Sequence, residues 1–121
     1  KMLFEISTQI TSINSSFDVM VGADQSIQGA AIVLADEGMT GKVKLIGLGG
    51  SAPALEGIKD GSWFGGVYGA PGDEGRYAME AMVDALKNGI DQGGIDPLTS
   101  VPDNGLITSG NVSKFSAQWD G

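Results

Sequence analysis

The sequence predicts an α/β protein with a three-layer, doubly wound and mostly parallel sheet. A short apolar strand runs three times through a tight, small-residue turn straight into an amphipathic helix. These passages are Asp18–Asp24 into Gln25–Glu37, Val43–Leu48 into Ser51–Asp60, and Phe64–Gly69 into Pro71–Asn88. Strands that alternate with helices in this way belong to parallel sheets wound in both directions. The first strand is also a nearly continuous apolar run, suited to burial on both faces. Sheets of this kind hold their ligands in the turns past the carboxyl ends of the strands. The informative residues are therefore Ala23–Ser26, Gly47–Ser51 and Tyr68–Asp73.

The chain opens on apolar residues at helical spacing, Leu3, Ile6, Ile10, Ile13 and Phe17, which predict a helix from about Leu3 to Asn14 that needs a sheet to cover. An uncapped, core-facing helix at the very start gives the expectation of a fragment. Asp24 stands where the second helix begins, as an N-cap that also complements the positive end of the helix dipole. Ile27, Ala30, Ala31 and Leu34 form that helix's buried stripe, and Gly38 suits its C-terminal turn. Ser51 is the expected cap of the third helix, which carries Leu55 and Ile58 inward and stops near Gly61. Strand Phe64–Gly69 holds three glycines in six residues, a sign that another backbone or a ligand approaches closely. Pro71, Asp73 and Glu74 start the longest helix, and Ala78, Met79, Met82 and Leu86 line one face of it. Asn88–Gly105 reads as an extended connection. A strand-like Leu106–Thr108 and a small terminal helix, Val112–Trp119, capped by Asn111 or Ser109, complete the chain.

The 121 residues are enough for one domain. A net charge of −8 and a single arginine, Arg76, disfavour a nucleic-acid partner, because so acidic a surface repels phosphate backbones. No cysteine is present, which removes disulfides, thiolate metal sites and cysteine nucleophiles. Histidine is absent too, so the commonest general base and transition-metal ligand are both missing. No calcium-loop pattern and no apolar run of membrane-spanning length occur. No cofactor, metal or catalytic residue is expected.

Gly47-Leu-Gly49-Gly-Ser-Ala52 formally matches the dinucleotide fingerprint, in which glycines let the backbone approach a pyrophosphate at a helix N-terminus. That fingerprint also wants an acidic residue at the end of the next strand, where Tyr68-Gly69-Ala70 offers none. Asp24 and Ser51 are read both as structural caps and as residues at the mouth of a cleft. Among Trp63, Phe64 and Tyr68, core packing is the expected role for Trp63 or Phe64. Tyr68, one residue from the strand end, can instead present its face to a flat ligand.

Together these residues resemble a known family. Asp18–Ala30 resembles the strand and helix of sugar-binding periplasmic proteins of the ribose-binding type. Val43–Ser51, Ile58–Trp63 and Pro71 with its helix to Gly89 match the next three landmarks, and Leu106–Trp119 is similar to the family's carboxyl terminus. The resemblance implies a partial type I periplasmic-binding-protein fold. Residues 1–69 would be the latter part of the carboxyl-terminal lobe. Residues 70–105 would hold a hinge crossing and a return segment of the amino-terminal lobe, and residues 106–121 a tail returning to the first lobe. It further implies a non-enzymatic solute-binding component of an ABC importer, in the periplasm or as a membrane-associated lipoprotein. Its two lobes would close on a sugar or sugar-like molecule and present it to a membrane permease.

The ribose type places an Asn just before the Asp of the first turn, an Asp two residues after the Gly of the second, and a Gln just before the hinge. Ala23, Gly49 and Gly69 stand at those positions here. Three hydroxyl partners are absent together, so the expected ligand is larger or less polar, with the glycines making room and Tyr68, Gln25 or Ser51 supplying contacts; otherwise the usual sugar has been lost. The expected ligand-binding set is Ala23, Asp24, Gln25, Gly49, Ser51, Tyr68 and Gly69. The alternatives are the effector-binding domain of a lactose-repressor-type regulator and, behind it, a nicotinamide-dependent enzyme. An unpaired sheet edge and uncovered helix faces would make the fragment self-associate or pair with its missing half.

Overall fold

The computed structural model describes Glu5, Thr8, Gln9, Ser12 and residues 16–90 and 93–121. Four strands form one sheet in the order β1-β2-β3-β4: β1 Val19–Ala23, β2 Lys44–Gly49, β3 Gly65–Tyr68 and β4 Leu106–Thr108. The first three are parallel, and β4 returns antiparallel against β3. Helices α1 (Asp24–Asp36), α2 (Ala52–Asp60) and α3 (Pro71–Asn88) follow β1, β2 and β3. The strand–helix alternation and the mostly parallel sheet match the sequence expectation. Most of the expected first helix, with its stripe at Leu3, Ile6, Ile10 and Ile13, lies outside the described residues.

α1 and α2 cover the sheet face that carries Leu45, Gly47, Gly66, Tyr68 and Ile107. Ile27 from α1, Ile58 from α2 and Ile107 from β4 are among the large apolar side chains shut completely or almost completely from solvent. Trp63, just before β3, lies across Gly57 of α2 and Gly47 of β2. A Cβ on Gly57 would sit 2.5 Å from the indole, so the absent side chain is what lets the ring enter the core. The strand glycines serve backbone approach: a Cβ on Gly65 would lie 2.9 Å from the Ile107 carbonyl, and one on Gly66 3.2 Å from that of Gly47.

Several expectations change. β1 is not buried on both faces: Val21 is 58% exposed, in a row with exposed Val19, Leu48, Val67 and Leu106 on the opposite face of the sheet. In α3 no residue is buried; Met79, Met82 and Leu86 are open to solvent, because the helix leaves the sheet after Ala70 and packs mainly on the 3₁₀ turn Pro97–Ser100. Phe64 points outward with the Lys44 ammonium 4.8 Å above its ring, so Trp63 alone of that pair packs into the core. The terminal helix is only a 3₁₀ turn, Val112–Lys114. Asn111 stands at its N-cap position but makes no side-chain capping bond. Its side chain accepts from the Thr108 amide at 2.7 Å and donates to the Leu106 carbonyl at 2.9 Å, knitting the β4 turn and sending the tail on in extended form.

Substituting Gly57→Ala should lower stability by about 1–3 kcal/mol, since the Trp63 ring must be pushed off its seat. Urea unfolding followed by circular dichroism checks this, and an unchanged midpoint would remove the close-packing argument.

Candidate solute site at the strand tips

The tips of β1, β2 and β3 stand side by side, with Ala23 opposite Leu48 and Gly49 opposite Tyr68. The three turns that follow are therefore neighbours. Asp24 is the first residue of α1 and not its cap; Ala23 holds that place and no side chain caps the helix. The Asp24 carboxylate reaches sideways instead. It is fully buried, and Oδ2 accepts the Ser51 amide at 2.7 Å, at the start of α2. The Ser51 hydroxyl accepts from Ala54 N at 3.4 Å, which makes it the expected cap. Asp24 Oδ1 is buried without a hydrogen-bond partner among the described residues, beside the starts of α1 and α2.

That arrangement bears on the fingerprint-like glycines. A Cβ on Gly47 would strike Asp24 Oδ1 and the Trp63 ring, and the anion-seeking end of α2 already holds a carboxylate from its own chain. The glycines make room for Asp24 and Trp63, not for a pyrophosphate.

At Gly49 the backbone turns with φ 152°, and Gly50 follows at φ 66°. A Cβ on Gly49 would lie 2.7 Å from Cζ2 of Trp119 and 2.9 Å from Asp24 Oδ2. The Gly49 carbonyl accepts from both the Gly69 amide, at 2.9 Å, and Trp119 Nε1, at 3.1 Å. Gly69 is held close in turn, since its Cβ would lie 3.0 Å from that same oxygen. The expected vacancy for a larger ligand at these two glycines is thus filled from within, by the tail tryptophan and by the neighbouring strand.

Tyr68 is buried. Its ring packs against Phe115 at 5.2 Å, and its hydroxyl donates to the Ser116 carbonyl at 2.6 Å. Burial, foremost, and the nearby Asp73 carboxylate raise its pKa above the usual phenol value. Its face belongs to the core, which is a different placement from the stacking role the sequence suggested. Ala23 is exposed and Gln25 half-buried at the β1 tip.

The tail reaches over the segment that follows Gly69 and back to the start of α2. Gln118 donates to Asp73 Oδ2 at 2.7 Å and accepts from the Asp73 amide at 3.0 Å, while Ala52 N donates to the Trp119 carbonyl at 3.1 Å. The Gln118 bond, then that from Arg76, holds the Asp73 carboxyl below its ordinary value. Gly49, Gly69, Pro71, Glu74 and Trp119 together bound an open cavity of about 340 Å³. That is near the lower end of small-molecule sites, roughly 300–1,000 Å³. Sequence reasoning missed Trp119 and Gln118, since nothing in local spacing tells which strand tip a returning tail will meet.

With this geometry in view, the sequence over residues 5–90 matches the family model described as the periplasmic binding protein domain. The chain belongs to the periplasmic binding protein family. The Caulobacter myo-inositol-binding protein, solved with myo-inositol bound, is 28% identical with a TM-score of 0.77; the match covers 94% of this chain and 38% of that one. An ABC transporter periplasmic solute-binding protein from Actinobacillus succinogenes, solved with D-allose, matches at 18% identity and TM-score 0.77 over 93% of this chain and 38% of that one. One from Agrobacterium vitis, solved with D-fucose, is 19% identical with TM-score 0.72 over 93% and 37%. Those two show the fold alone. The chain therefore spans less than two fifths of the length of these periplasmic binding proteins. No curated protein matches the sequence significantly.

Replacing Asp24 by Ala leaves the Ser51 amide buried without an acceptor and should cost about 1–3 kcal/mol. Asp24→Asn, which keeps an acceptor oxygen, should lose less. Chemical denaturation of the two variants tests this, and equal losses would mean that the bond to Ser51 is not what matters.

Proposed function

We propose that this protein is the solute-binding component of an ABC importer that takes a sugar or sugar-like small molecule. The observation that carries the reading is the open cavity at the adjoining tips of β2 and β3, beside Gly69, in a chain of the periplasmic binding protein family. The solved relatives named above, described as binding myo-inositol, D-allose and D-fucose, support a polyhydroxylated ligand. The proposed work is binding, not catalysis, in an extracytoplasmic setting.

Residues 1–69 form the latter part of one lobe in this proposal, residues 70–105 cross into and return from the other, and residues 106–121 come back to the first. A solute held between two such lobes binds the closed arrangement more tightly and shifts the population toward it. A membrane permease then receives the closed form. Ala23, Gln25, Gly49 and Gly69 stand at the cleft surface as proposed solute neighbours; Asp24, Ser51 and Tyr68 act from beneath, by fixing the turns. The exposed apolar rows on the sheet and on α3 are the faces on which the rest of a two-lobed protein, or a second copy, packs.

Titration calorimetry of the full-length protein should give saturable heats with at least one of myo-inositol, D-allose and D-fucose. Heats with none of these, or with a nucleoside in their place, would overturn the reading. The 121-residue chain alone should sediment as a dimer or larger species at micromolar concentration; a monomer at every concentration would show that the bare apolar faces need no partner.

A further inference from the structure

The polar side chains that the ribose type uses at the strand tips are missing here, and the space beside Gly49 is filled by an indole. Two hydrogen bonds fix that ring, one from its Nε1 to the Gly49 carbonyl and one from Ala52 N to its own carbonyl, while Gln118 beside it is clamped on both polar groups of Asp73. Its six-membered edge lies against Gly49, and the ring is half-buried, so part of its surface remains open to the cavity that it shares with Gly69, Pro71 and Glu74. That lining is chiefly apolar, with Glu74 as its one charged residue.

Resting on the solute-binding reading, we infer that Trp119 is the specificity-determining wall of the site, stacking on the C–H face of a cyclic polyol whose hydroxyls donate to the Glu74 carboxylate. The chemistry follows from the two groups. A rigid indole offers a large flat surface with negative π density, which favours the weakly positive C–H bonds of a ring held face-on. It contributes little to an open-chain polyol, which has no fixed face. A carboxylate accepts from hydroxyls in charge-assisted bonds and orients the ring on the wall. Glycine at position 49 is then a requirement of this design, because any side chain there would displace the indole. Selectivity moves from paired side chains on the strands to one aromatic brought in by the tail.

The experiment uses the full-length protein with myo-inositol, D-allose and D-fucose, and with sorbitol as an open-chain control. Binding of a ring should shift tryptophan emission, and the shift should be smaller in Trp119→Phe by the share that this residue carries, Trp63 being buried against Gly57. Trp119→Leu should weaken ring binding about tenfold or more and erase the preference for rings over sorbitol, whereas Trp119→Phe, which keeps a flat face, should weaken it by only about threefold. Thermal melting of each variant separates loss of fold from loss of contact. Ring binding that leaves the emission unmoved, or that survives intact in Trp119→Leu, overturns the inference and leaves the solute reading standing. A Phe variant that melts normally yet binds as poorly as Leu also overturns it, by assigning the effect to the Nε1 hydrogen bond. Absence of ring binding by the wild type overturns both.

Discussion

One carbonyl oxygen, that of Gly49, joins parts of this protein that lie far apart in the sequence. A carbonyl has two lone pairs, and here both are used: one by the Gly69 amide at the end of the next strand, the other by the indole of Trp119, 70 residues on. The first bond extends the β2–β3 pairing past its last register pair and leads the chain to Ala70, just before α3. The second draws the tail over the strand tips. Remove either donor and the oxygen loses a partner in a partly dry environment, while the strand tip or the tail loses its anchor.

The same point explains why the glycines are where they are. A glycine after a strand is often taken as space for a ligand, and here the space has occupants. Asp24 and Trp63 fill the side-chain position of Gly47, Asp24 and Trp119 that of Gly49, Tyr68 that of Gly50, and the Gly49 carbonyl that of Gly69. The turns are packed by the chain itself. What lines the open cavity is Trp119, Pro71 and Glu74 beside Gly49 and Gly69.

Asp24 shows how a local rule and its tertiary outcome can differ. An Asp at a strand-to-helix junction reads as the cap of its own helix, and the residue type and its place at a helix start were legible. Its helical backbone at the first position aims the carboxylate away from the amides of α1 and toward those of α2. The carboxylate therefore ties two turns together instead of finishing one. Ser51, whose backbone is extended as a cap requires, serves its own helix as the local rule states.

The sequence by itself determined the strand–helix alternation, the parallel sense of the first three strands, the bounds of α3 and the location of the informative turns. Hydrophobic period, helix-start residues and helix-ending glycines are short-range signals that act within a turn or two of chain. Even the resemblance carried by Asp18–Ala30 and its following landmarks is an ordered string of such local patterns. Tertiary structure alone decided that Val21 and the α3 methionines stay exposed, that Tyr68 turns inward onto Phe115, and that Trp119 reaches Gly49. Those outcomes depend on which surfaces meet in space, and contacts between residues 47 to 70 positions apart leave no period in the chain to be read.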